Sequence, residues 1–341
     1  MAVDSDSSGD RIAPPYLLYL GEARDDLAAK SAHGLVDWRP EWCLGQVRLE
    51  GCKADLGIAD MSVDEAAARG ARTLIIGVAN PGGVLPESWS ADIVRALECG
   101  MDVASGLHMK LVDMAEVREA AAHNSRRLFD VRHPTRRFAT GKGSPRPGKR
   151  LLTVGSDCSC GKMYTSLALE REMKSRGLDA DFRATGQSGI FIAGEGVAVD
   201  AVVADFISGA VEWLTPDNDP EHWDLIEGQG SLFHPSFAGV SLGLLHGAQP
   251  DAIVMCHEPT RGHMRGLEHQ PLPDLEACIE ANLEAARLTN PAVRCAAVAV
   301  NTSRMEGGAA AEYKRATEAL LRFPCVDPMT DGVAAIVDNL F

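Results

Sequence analysis

The sequence is poor in basic residues, with 33 lysines and arginines against 48 acidic residues in 341 and a formal net charge of −15. Because nucleic acids and anionic membranes are bound through a basic face, this deficit argues against both as partners. No apolar run approaches the ~20 residues that a membrane-spanning helix requires. The first residues, MAVDSDSSGDR, lack the basic and apolar regions of a signal peptide, so we expect a disordered leader over 1–14 and a cytoplasmic protein.

Cysteines at metal-site spacing are also missing. The nine cysteines are an odd number scattered along the chain, which is typical of reduced thiols in a cytoplasm. Cys158 and Cys160 form the one close pair, and no second pair of Cys or His follows at zinc-finger spacing. We therefore expect no bound metal.

The composition is otherwise that of a globular protein long enough for two domains. Short apolar runs alternate with helical patterns over 15–132, which predicts an α/β domain around a parallel sheet. Residues 133–150 are rich in proline, glycine and basic residues and are predicted to form a linker. Over 151–341 the alternation returns, with strand-to-loop junctions that predict a second, doubly wound sheet.

Three local patterns predict particular elements. Ser62, followed by Glu65 three positions later, predicts a capped helix that ends at Gly70. The run RTLIIGVA predicts a buried strand that leads into Asn80–Gly83, and open α/β sheets bind ligands in loops of this kind. The apolar run over 197–214, VAVDAVVADFISGAVEWL, predicts one long helix.

A phosphate-binding loop is the strongest motif in the chain. Gly155–Lys162 fits G-x-x-x-x-G-K, with an apolar strand before it and a helix after it. Met163 stands where the motif places the Ser or Thr that holds Mg²⁺, so we expect a phosphate to be bound there but not cleaved. The predicted cofactor-binding residues are Gly155, Ser156, Asp157, Cys158, Ser159, Cys160, Gly161, Lys162 and Met163.

Three further glycine-rich loops follow predicted strands, at 185–189, 227–230 and 257–266. A doubly wound sheet would gather them beside the phosphate loop, whereas each taken singly is also compatible with ordinary turns. Asp224 or Glu227 could serve as the acid of a second metal-binding motif. Either is equally compatible with a structural role as a hydrogen-bond acceptor for loop amides. The candidate substrate-binding residues in these loops are Gln187, Gln229, His257 and Arg261.

Charged residues of the first domain form a separate candidate group. Arg48 and Lys53 suit the carboxylates of an acidic substrate, and Asp55 or Asp60 suits an ammonium group. Taken alone, these charges are equally typical of a solvated surface.

Long segments of the chain resemble a bacterial and archaeal family long labelled a domain of unknown function. They are VGSDCSCGKM, ATGQSGIFIAGEGVAVDAVVADFISGAVEWL, IEGQGSLFHPSFAGVSLGLLHG and HEPTRG. In that family a Rossmann-like N-terminal domain precedes a P-loop NTPase-like domain, and the resemblance implies this architecture from residue 15 onward. The segments PYLLYLGEA, AAKSAHGLVDWRPEWCLGQVRLEGCKADLGIADM and TLIIGVANPGG are similar to its DgcN branch of D-glutamate N-acetyltransferases.

The resemblance implies an acyltransferase that moves an acetyl group from acetyl-CoA to the amino group of a D-amino acid, in first place D-glutamate, in D-amino-acid catabolism. The family commonly carries Met after the loop lysine, which implies that the loop holds a phosphate of coenzyme A without transferring it. An aspartate of the first domain is implicated in handling the amine in that branch, and Asp55 matches it best, with Asp60 second.

The loop that follows the RTLIIGVA strand is the candidate substrate site of the first domain, because open α/β sheets bind ligands beyond their strand ends. Asn80, Gly82 and Gly83 are then substrate-binding candidates, and the N–H groups of Gly82–Gly83 or Gly228–Gly230 are candidates for stabilising the oxyanion.

Other functions stay open at this level. The P-loop pattern and the EGQG segment are also compatible with an ATP-dependent ligase resembling dethiobiotin synthetase, or with a non-catalytic sensor of coenzyme A or nucleotide. A ping-pong route through Cys158 is an alternative to direct transfer. Two-domain α/β proteins often associate symmetrically, so we expect a homo-oligomer.

Overall fold

A computed structural model describes residues 11–78 and 81–341 of the chain. The chain divides into two compact units, the first containing the residues up to 135 together with 186–201, and the second containing 136–185 and 202–341. Each unit is built around its own parallel sheet with helices in the connections, so the predicted α/β class is confirmed.

Two parallel sheets and one hairpin contain the strands of the described residues. These strands are β1 (Tyr16–Gly21), β2 (Cys43–Arg48), β3 (Thr73–Ile76), β4 (Asp102–Ser105), β5 (Leu128–Asp130), β6 (Lys149–Gly155), β7 (Ala180–Arg183), β8 (Trp223–Ile226), β9 (Ala252–His257), β10 (His263–Met264), β11 (Leu267–Pro271), β12 (Arg294–Val300) and β13 (Cys325–Val326). The first unit has the strand order β2-β1-β3-β4-β5, and the second has β13-β12-β9-β6-β8-β7. β10 and β11 pair as an antiparallel hairpin in the second unit.

The helices are α1 (Lys30–Trp38), α2 (Val63–Ala68), α3 (Ser90–Glu98), α4 (Ala115–His123), α5 (Lys162–Ser175), α6 (Gln187–Ala193), α7 (Ile207–Leu214), α8 (Ala238–Ala248), α9 (Leu275–Arg287), α10 (Gly307–Leu321) and α11 (Ala334–Asp338). α2 begins as predicted, because Ser62 Oγ accepts the N–H of Glu65 at 3.2 Å while the Glu65 carboxylate accepts the N–H of Ser62 at 2.8 Å. Among the residues that the structure describes, no helix is both long and apolar enough to cross a membrane.

The strand order of the first unit indicates where a candidate ligand-binding crevice lies. The chain passes from β1 to β2 on one side and then returns to β3 on the other, so the order reverses between β1 and β3. Ligands of open parallel sheets bind beyond the carboxyl ends of the strands at such a reversal. The described residues that border it are 22–29, 77–78 and 81–89. They include Gly82 and Gly83 of the predicted Asn80–Gly83 segment, whereas Asn80 lies outside the described residues.

In the second unit β6 lies between β8 and β9 in the middle of the sheet. Because the three strands are parallel, the loops that follow them emerge at the same edge. Those loops are 155–162, 227–230 and 257–266, which the sequence predicts to lie together. The sheet therefore positions two glycine-rich loops beside the phosphate-binding motif.

Residues 186–201 pack on the first unit, although the chain reaches them from β7 of the second. Ser188 Oγ lies 2.8 Å from Ser31 Oγ on α1, and the N–H of Ile12 donates to the carbonyl of Gly194 at 2.7 Å. The sequence-based division, with its one boundary at 133–150, places this segment in the second domain. Composition cannot reveal such a return, because it records where a segment lies in the chain and not what the segment packs on.

The prediction of one long helix over 197–214 is wrong. Two short 3₁₀ turns, Val199–Ala201 and Ala204–Phe206, precede α7. The chain passes from the first unit to the second between 201 and 202. The run is apolar because its two ends are buried in two different cores, and not because it forms one buried helix.

Replacing Gly228 by Ala should destabilise the second unit. A Cβ at Gly228, directly after β8, would overlap the backbone carbonyl oxygen of Thr153 on β6 and lie 3.0 Å from Lys162 Cδ. Because neither backbone can move without disturbing the sheet, we expect the free energy of unfolding in urea to fall by about 2 kcal/mol or more.

Gly239→Ala is the matched control for this substitution. Gly239 lies in α8 with open space around the added Cβ, so the variant should be neutral or more stable by up to about 1 kcal/mol. Equal stabilities of the two variants would contradict the close approach at Gly228.

Candidate functional site

The phosphate-binding loop joins β6 to α5 and has the backbone geometry of an anion-binding nest. Ser159 and Gly161 have φ values of 51° and 102°, which turn successive N–H groups toward one side of the loop. Lys162 begins α5, is 6 % exposed, and donates from Nζ to the carbonyl of Asp157 at 2.7 Å. A Cβ at Gly155 would lie 2.9 Å from Lys162 Nζ, so only glycine leaves room for this ammonium group.

The loops after β8 and β9 contact the phosphate-binding loop directly. Ser231 Oγ donates to the carbonyl of Ser156 at 3.1 Å. Ser156 Oγ lies 2.8 Å from Nδ1 of His257, the last residue of β9. Arg261 donates to a carboxylate oxygen of Asp157 at 2.7 Å. His257 and Arg261 therefore lie at this loop, as the strand ends predict.

The other two predicted glutamines have different surroundings. Gln229 Nε2 donates to Thr185 Oγ1 at 3.1 Å, within the second unit. Gln187 belongs to the first unit, where Arg132 Nη1 donates to its Oε1 at 3.0 Å. A Cβ on Gly106, after β4, would lie 2.9 Å from Gln187 Oε1, so Gln187 packs closely on the carboxyl edge of the first sheet.

The acids considered for a second metal-binding motif both have structural partners. Asp224 is the register partner of Arg150 on β6, at the opposite end of the strand from the phosphate-binding loop, and accepts from Arg183 Nε at 2.6 Å. Glu227 accepts the N–H of Thr185 at 2.9 Å. The position of Asp224 removes it from any role at the loop.

Asp157, Cys158 and His234 are the group of His, Cys and acidic side chains, among the residues described here, whose ligand atoms lie within 4.8 Å of one another. Their hydrogen bonds do not fit a metal. Asp157 Oδ1 accepts the N–H of Cys158 at 2.7 Å. His234 Nδ1 accepts the N–H of Ser236 at 3.2 Å, which leaves its Nε2–H to donate to the carbonyl of Arg265 at 3.2 Å.

Burial is the main cause of the pKa shifts of Cys158 and His257 in this loop region. It raises the pKa of the Cys158 thiol above its ordinary value, which opposes the thiolate that a ping-pong route would need. Burial, assisted by the nearby Arg261 charge, lowers the pKa of His257 to about 4. His257 is therefore neutral near pH 7 and stacks its ring at 6.3 Å from that of Tyr313.

The charged group of the first unit forms one connected cluster. Arg48 donates from Nε and Nη2 to the two carboxylate oxygens of Asp60 at 2.7 and 2.5 Å, and its Nη1 lies 3.1 Å from Asp55. Gln46 and the N–H of Gly57 both donate to Asp55 Oδ1 at 2.9 Å. The predicted pair Asp55 and Asp60 is thus brought together, with Arg48 between them.

These hydrogen bonds keep both aspartates ionised while they stay accessible. The Gln46 and Gly57 donors hold the pKa of Asp55 below its ordinary value, with a further contribution from Arg48. The Arg48 hydrogen bond does the same for the pKa of Asp60. Both side chains are slightly more than half exposed, at 55 % and 56 %. The cluster presents two carboxylates to solvent and uses Arg48 to hold them.

The remaining predicted substrate-binding residues in the described part of the chain are Lys53, Gly82 and Gly83, and their surroundings differ. Lys53 is exposed, and its N–H donates to the carbonyl of Ala23 at 2.8 Å. Gly82 and Gly83 have φ values of 80° and 60°, and a Cβ at Gly83 would lie 2.6 Å from the His108 ring. Glycine is therefore required at the turn after β3.

Two residues that the sequence reasoning missed organise the carboxyl edge of the first sheet. Gln46 is fully buried in β2 and holds both Asp55 and the N–H of Leu56, the latter at 2.9 Å. Arg132 follows β5 and joins Gln187 to Asp200, which accepts from Nη2 at 2.9 Å. The available signal for Gln46 was a polar amide inside an otherwise apolar strand pattern, CLGQVRL.

Comparison with known proteins adds a family and named relatives. Residues 137–337 match a family model described as "Domain of unknown function (DUF1611_C) P-loop domain", and residues 47–134 match "Domain of unknown function (DUF1611_N) Rossmann-like domain". The chain is 54 % identical over 330 residues to a D-glutamate N-acetyltransferase from a Pseudoalteromonas species, covering 97 % of this chain and 99 % of that protein.

Two further relatives agree over nearly the full chain. A D-glutamate N-acetyltransferase from Tritonibacter scottomollicae is 50 % identical over 329 residues, covering 96 % of this chain and 99 % of that protein. The crystal structure of a DUF1611 family protein from Anabaena variabilis superposes with a TM-score of 0.83 at 29 % identity, covering 96 % of this chain and 99 % of that one.

Acid should destabilise the protein partly through His257. Above pH 6.5, the ordinary pKa, the residue is neutral in both states; between pH 6.5 and about 4 only the unfolded chain takes up the proton. The contribution of neutral His257 to the free energy of unfolding is therefore lost as the pH falls from 6.5 to about 4. Between pH 7 and 4.5 the free energy of unfolding of His257→Gln should fall by about 2 kcal/mol less than that of the wild type.

His269→Gln is the control, because His269 is an exposed histidine of the same unit. It should keep the wild-type pH dependence in urea unfolding series. If His257→Gln and His269→Gln lose stability in parallel with the wild type, the neutral buried state assigned to His257 is wrong.

Proposed function

The chain belongs to the DUF1611 family, and on that premise we propose that it transfers an acetyl group to the amino group of D-glutamate. The observation that carries the proposal is identity of 50 % or more, across both units, to two proteins named D-glutamate N-acetyltransferase. The aligned regions cover 97 % and 96 % of the chain, so they span both units and not one domain alone.

We infer that acetyl-CoA is the donor and that its phosphates bind at the loop of 155–162. The support is the nest geometry, the buried Lys162 ammonium and the N-terminus of α5, which together favour a phosphate. Met163 replaces the hydroxyl that would hold Mg²⁺, which suits a phosphate that is bound without being cleaved.

The acceptor amine is assigned to Asp55, with Asp60 and Arg48 as its supports. A carboxylate whose pKa lies below its ordinary value is a poor proton acceptor but a good partner for an ammonium group. We therefore assign Asp55 the binding and orientation of the substrate ammonium, and solvent the removal of its proton. Arg48 serves to hold the aspartates, because its three nitrogens already contact them.

The transfer step is direct. The neutral amine bonds to the thioester carbonyl carbon and the carbon–sulfur bond breaks. The proton that the nitrogen loses as the amide forms passes, directly or through solvent, to the departing sulfur, so coenzyme A leaves as the thiol. Of the two glycine loops considered for the oxyanion, Gly228 already donates its N–H to Thr153 Oγ1 at 3.0 Å. The Gly228 N–H is thus used within the protein, and we propose the N–H groups of Gly82 and Gly83 as the oxyanion donors.

A cytoplasmic location and a homo-oligomeric state complete the proposal. All nine cysteines are unpaired in the structure, as is typical of a reducing compartment. Sedimentation of the purified protein at several concentrations measures the oligomeric state. A monomer at every concentration would contradict the proposed homo-oligomer.

A thiol-release assay should show coenzyme A produced from acetyl-CoA with D-glutamate, and far less with L-glutamate or with no amino acid. Mass spectrometry should identify N-acetyl-D-glutamate as the second product. No thiol release with any amino acid would favour a sensor. ADP formed from ATP and Mg²⁺ in a Lys162-dependent way would favour the ligase and overturn the acetyltransferase.

Asp55→Asn should lower kcat/KM for D-glutamate by at least 100-fold without changing the shape of its pH profile. In both proteins kcat/KM should rise between pH 7 and 9, since the substrate ammonium is the group that titrates and Asp55 is ionised throughout. Affinity for coenzyme A, measured by calorimetry, should be unchanged.

Asp64→Asn is the matched control, because Asp64 is an exposed aspartate of the same unit that is paired with an arginine, Arg95, at 2.5 Å. It should retain wild-type activity. Full activity in Asp55→Asn would move the assignment to Asp60, and loss of the pH dependence in that variant would make Asp55 the base.

A further inference from the structure

The phosphate-binding loop contains a negative charge of its own. Asp157 is the third residue of the motif, and its side chain is only 1 % exposed. A buried carboxylate would repel a phosphate and would itself be costly without a partner. Its neutralisation is therefore a requirement for the loop to bind an anion.

Arg261, in the loop after β9, supplies the positive charge that pairs with Asp157, and it also binds the backbone of the loop. Its guanidinium donates to Asp157 Oδ2 at 2.7 Å, to the carbonyl of Cys158 at 2.6 Å and to the carbonyl of Ser159 at 2.8 Å. Glu258 pairs with the same guanidinium and holds it from the other side. Each of these contacts is internal to the protein, so the guanidinium is used to shape the loop.

The carbonyl contacts fix the direction of the loop amides. In a trans peptide the C=O of one residue and the N–H of the next point in opposite directions. When Arg261 binds the carbonyls of Cys158 and Ser159, the N–H groups of Ser159 and Cys160 are turned away from it. The contact with Ser159 also holds a non-glycine residue at φ 51°, a conformation that otherwise costs free energy.

We propose that Arg261 is a positioning residue, which orients the loop amides for a phosphate of the donor through Asp157 and two loop carbonyls, and does not itself bind substrate. The proposal rests on the function proposed above only in naming coenzyme A as the phosphate carrier. It assigns the orientation of the loop amides to an ion pair that the motif G-x-x-x-x-G-K does not contain.

Arg261→Lys tests the fork geometry, because lysine keeps the charge but lacks the planar fork with which Arg261 contacts Asp157 and both loop carbonyls at once. We expect the dissociation constant for coenzyme A, measured by calorimetry, to rise at least tenfold. KM for acetyl-CoA should rise similarly, with kcat within twofold of wild type and KM for D-glutamate unchanged. Arg304→Gln is the control: Arg304 lies 3.5 Å from the same Glu258 but is 76 % exposed, and the variant should bind coenzyme A normally.

Asp157→Asn decides between positioning and direct contact. If Arg261 bound the phosphate itself, removing a nearby negative charge and freeing the guanidinium would tighten binding. If Arg261 acts through Asp157, the same substitution should weaken binding at least threefold, against the direction of simple charge. Tighter binding in Asp157→Asn, or unchanged binding in Arg261→Lys, overturns the proposal, and Asp157→Asn decides it if Arg261→Lys does not fold.

Pyrophosphate as a second probe separates this proposal from the proposed function. If the wild type binds pyrophosphate but transfers no acetyl group, the function fails and the two variants still test the loop with that probe. If the wild type binds neither coenzyme A nor pyrophosphate, the positioning role is overturned as well. If the wild type transfers acetyl groups and both variants bind coenzyme A as it does, only the positioning role fails.

Discussion

The ion pair between Arg261 and Asp157 is the interaction on which the second unit's candidate site depends. It pairs the buried carboxylate of the loop where we propose that an anion binds, and it links the loop after β9 to the loop after β6. Lys162 contacts the same loop through the carbonyl of Asp157. Two cations thus hold one loop at its carbonyl groups, so that the N–H groups are the part left to face a ligand.

A similar arrangement holds the acidic cluster of the first unit. Gln46 is buried in β2, and its amide donates to Asp55 and accepts from the following backbone. Arg48 then contacts Asp55 and Asp60 together. In both units the groups nearest the proposed chemistry are oriented by residues that make only internal contacts, which is the support that a precise site needs.

Local patterns were sufficient wherever the physical cause is itself local. The cap at Ser62 forms because two side chains three residues apart satisfy each other's backbone groups. The phosphate-binding loop follows from the glycine spacing and the flanking strand and helix. The 197–214 run misled because an apolar sequence reports burial and does not say in which core a residue is buried.

The motif, the strand ends and the charged candidates can therefore be read along the chain, since each depends on neighbours a few residues apart. Three assignments needed the tertiary structure. Gln187 packs in the first unit although it follows β7 in the chain. Arg48 forms ion pairs with both Asp55 and Asp60. Arg261 contacts Asp157, which lies about a hundred positions earlier in the chain. Hydrogen bonds and ion pairs act over a few ångströms in space whatever the separation in sequence, so only the folded chain specifies them.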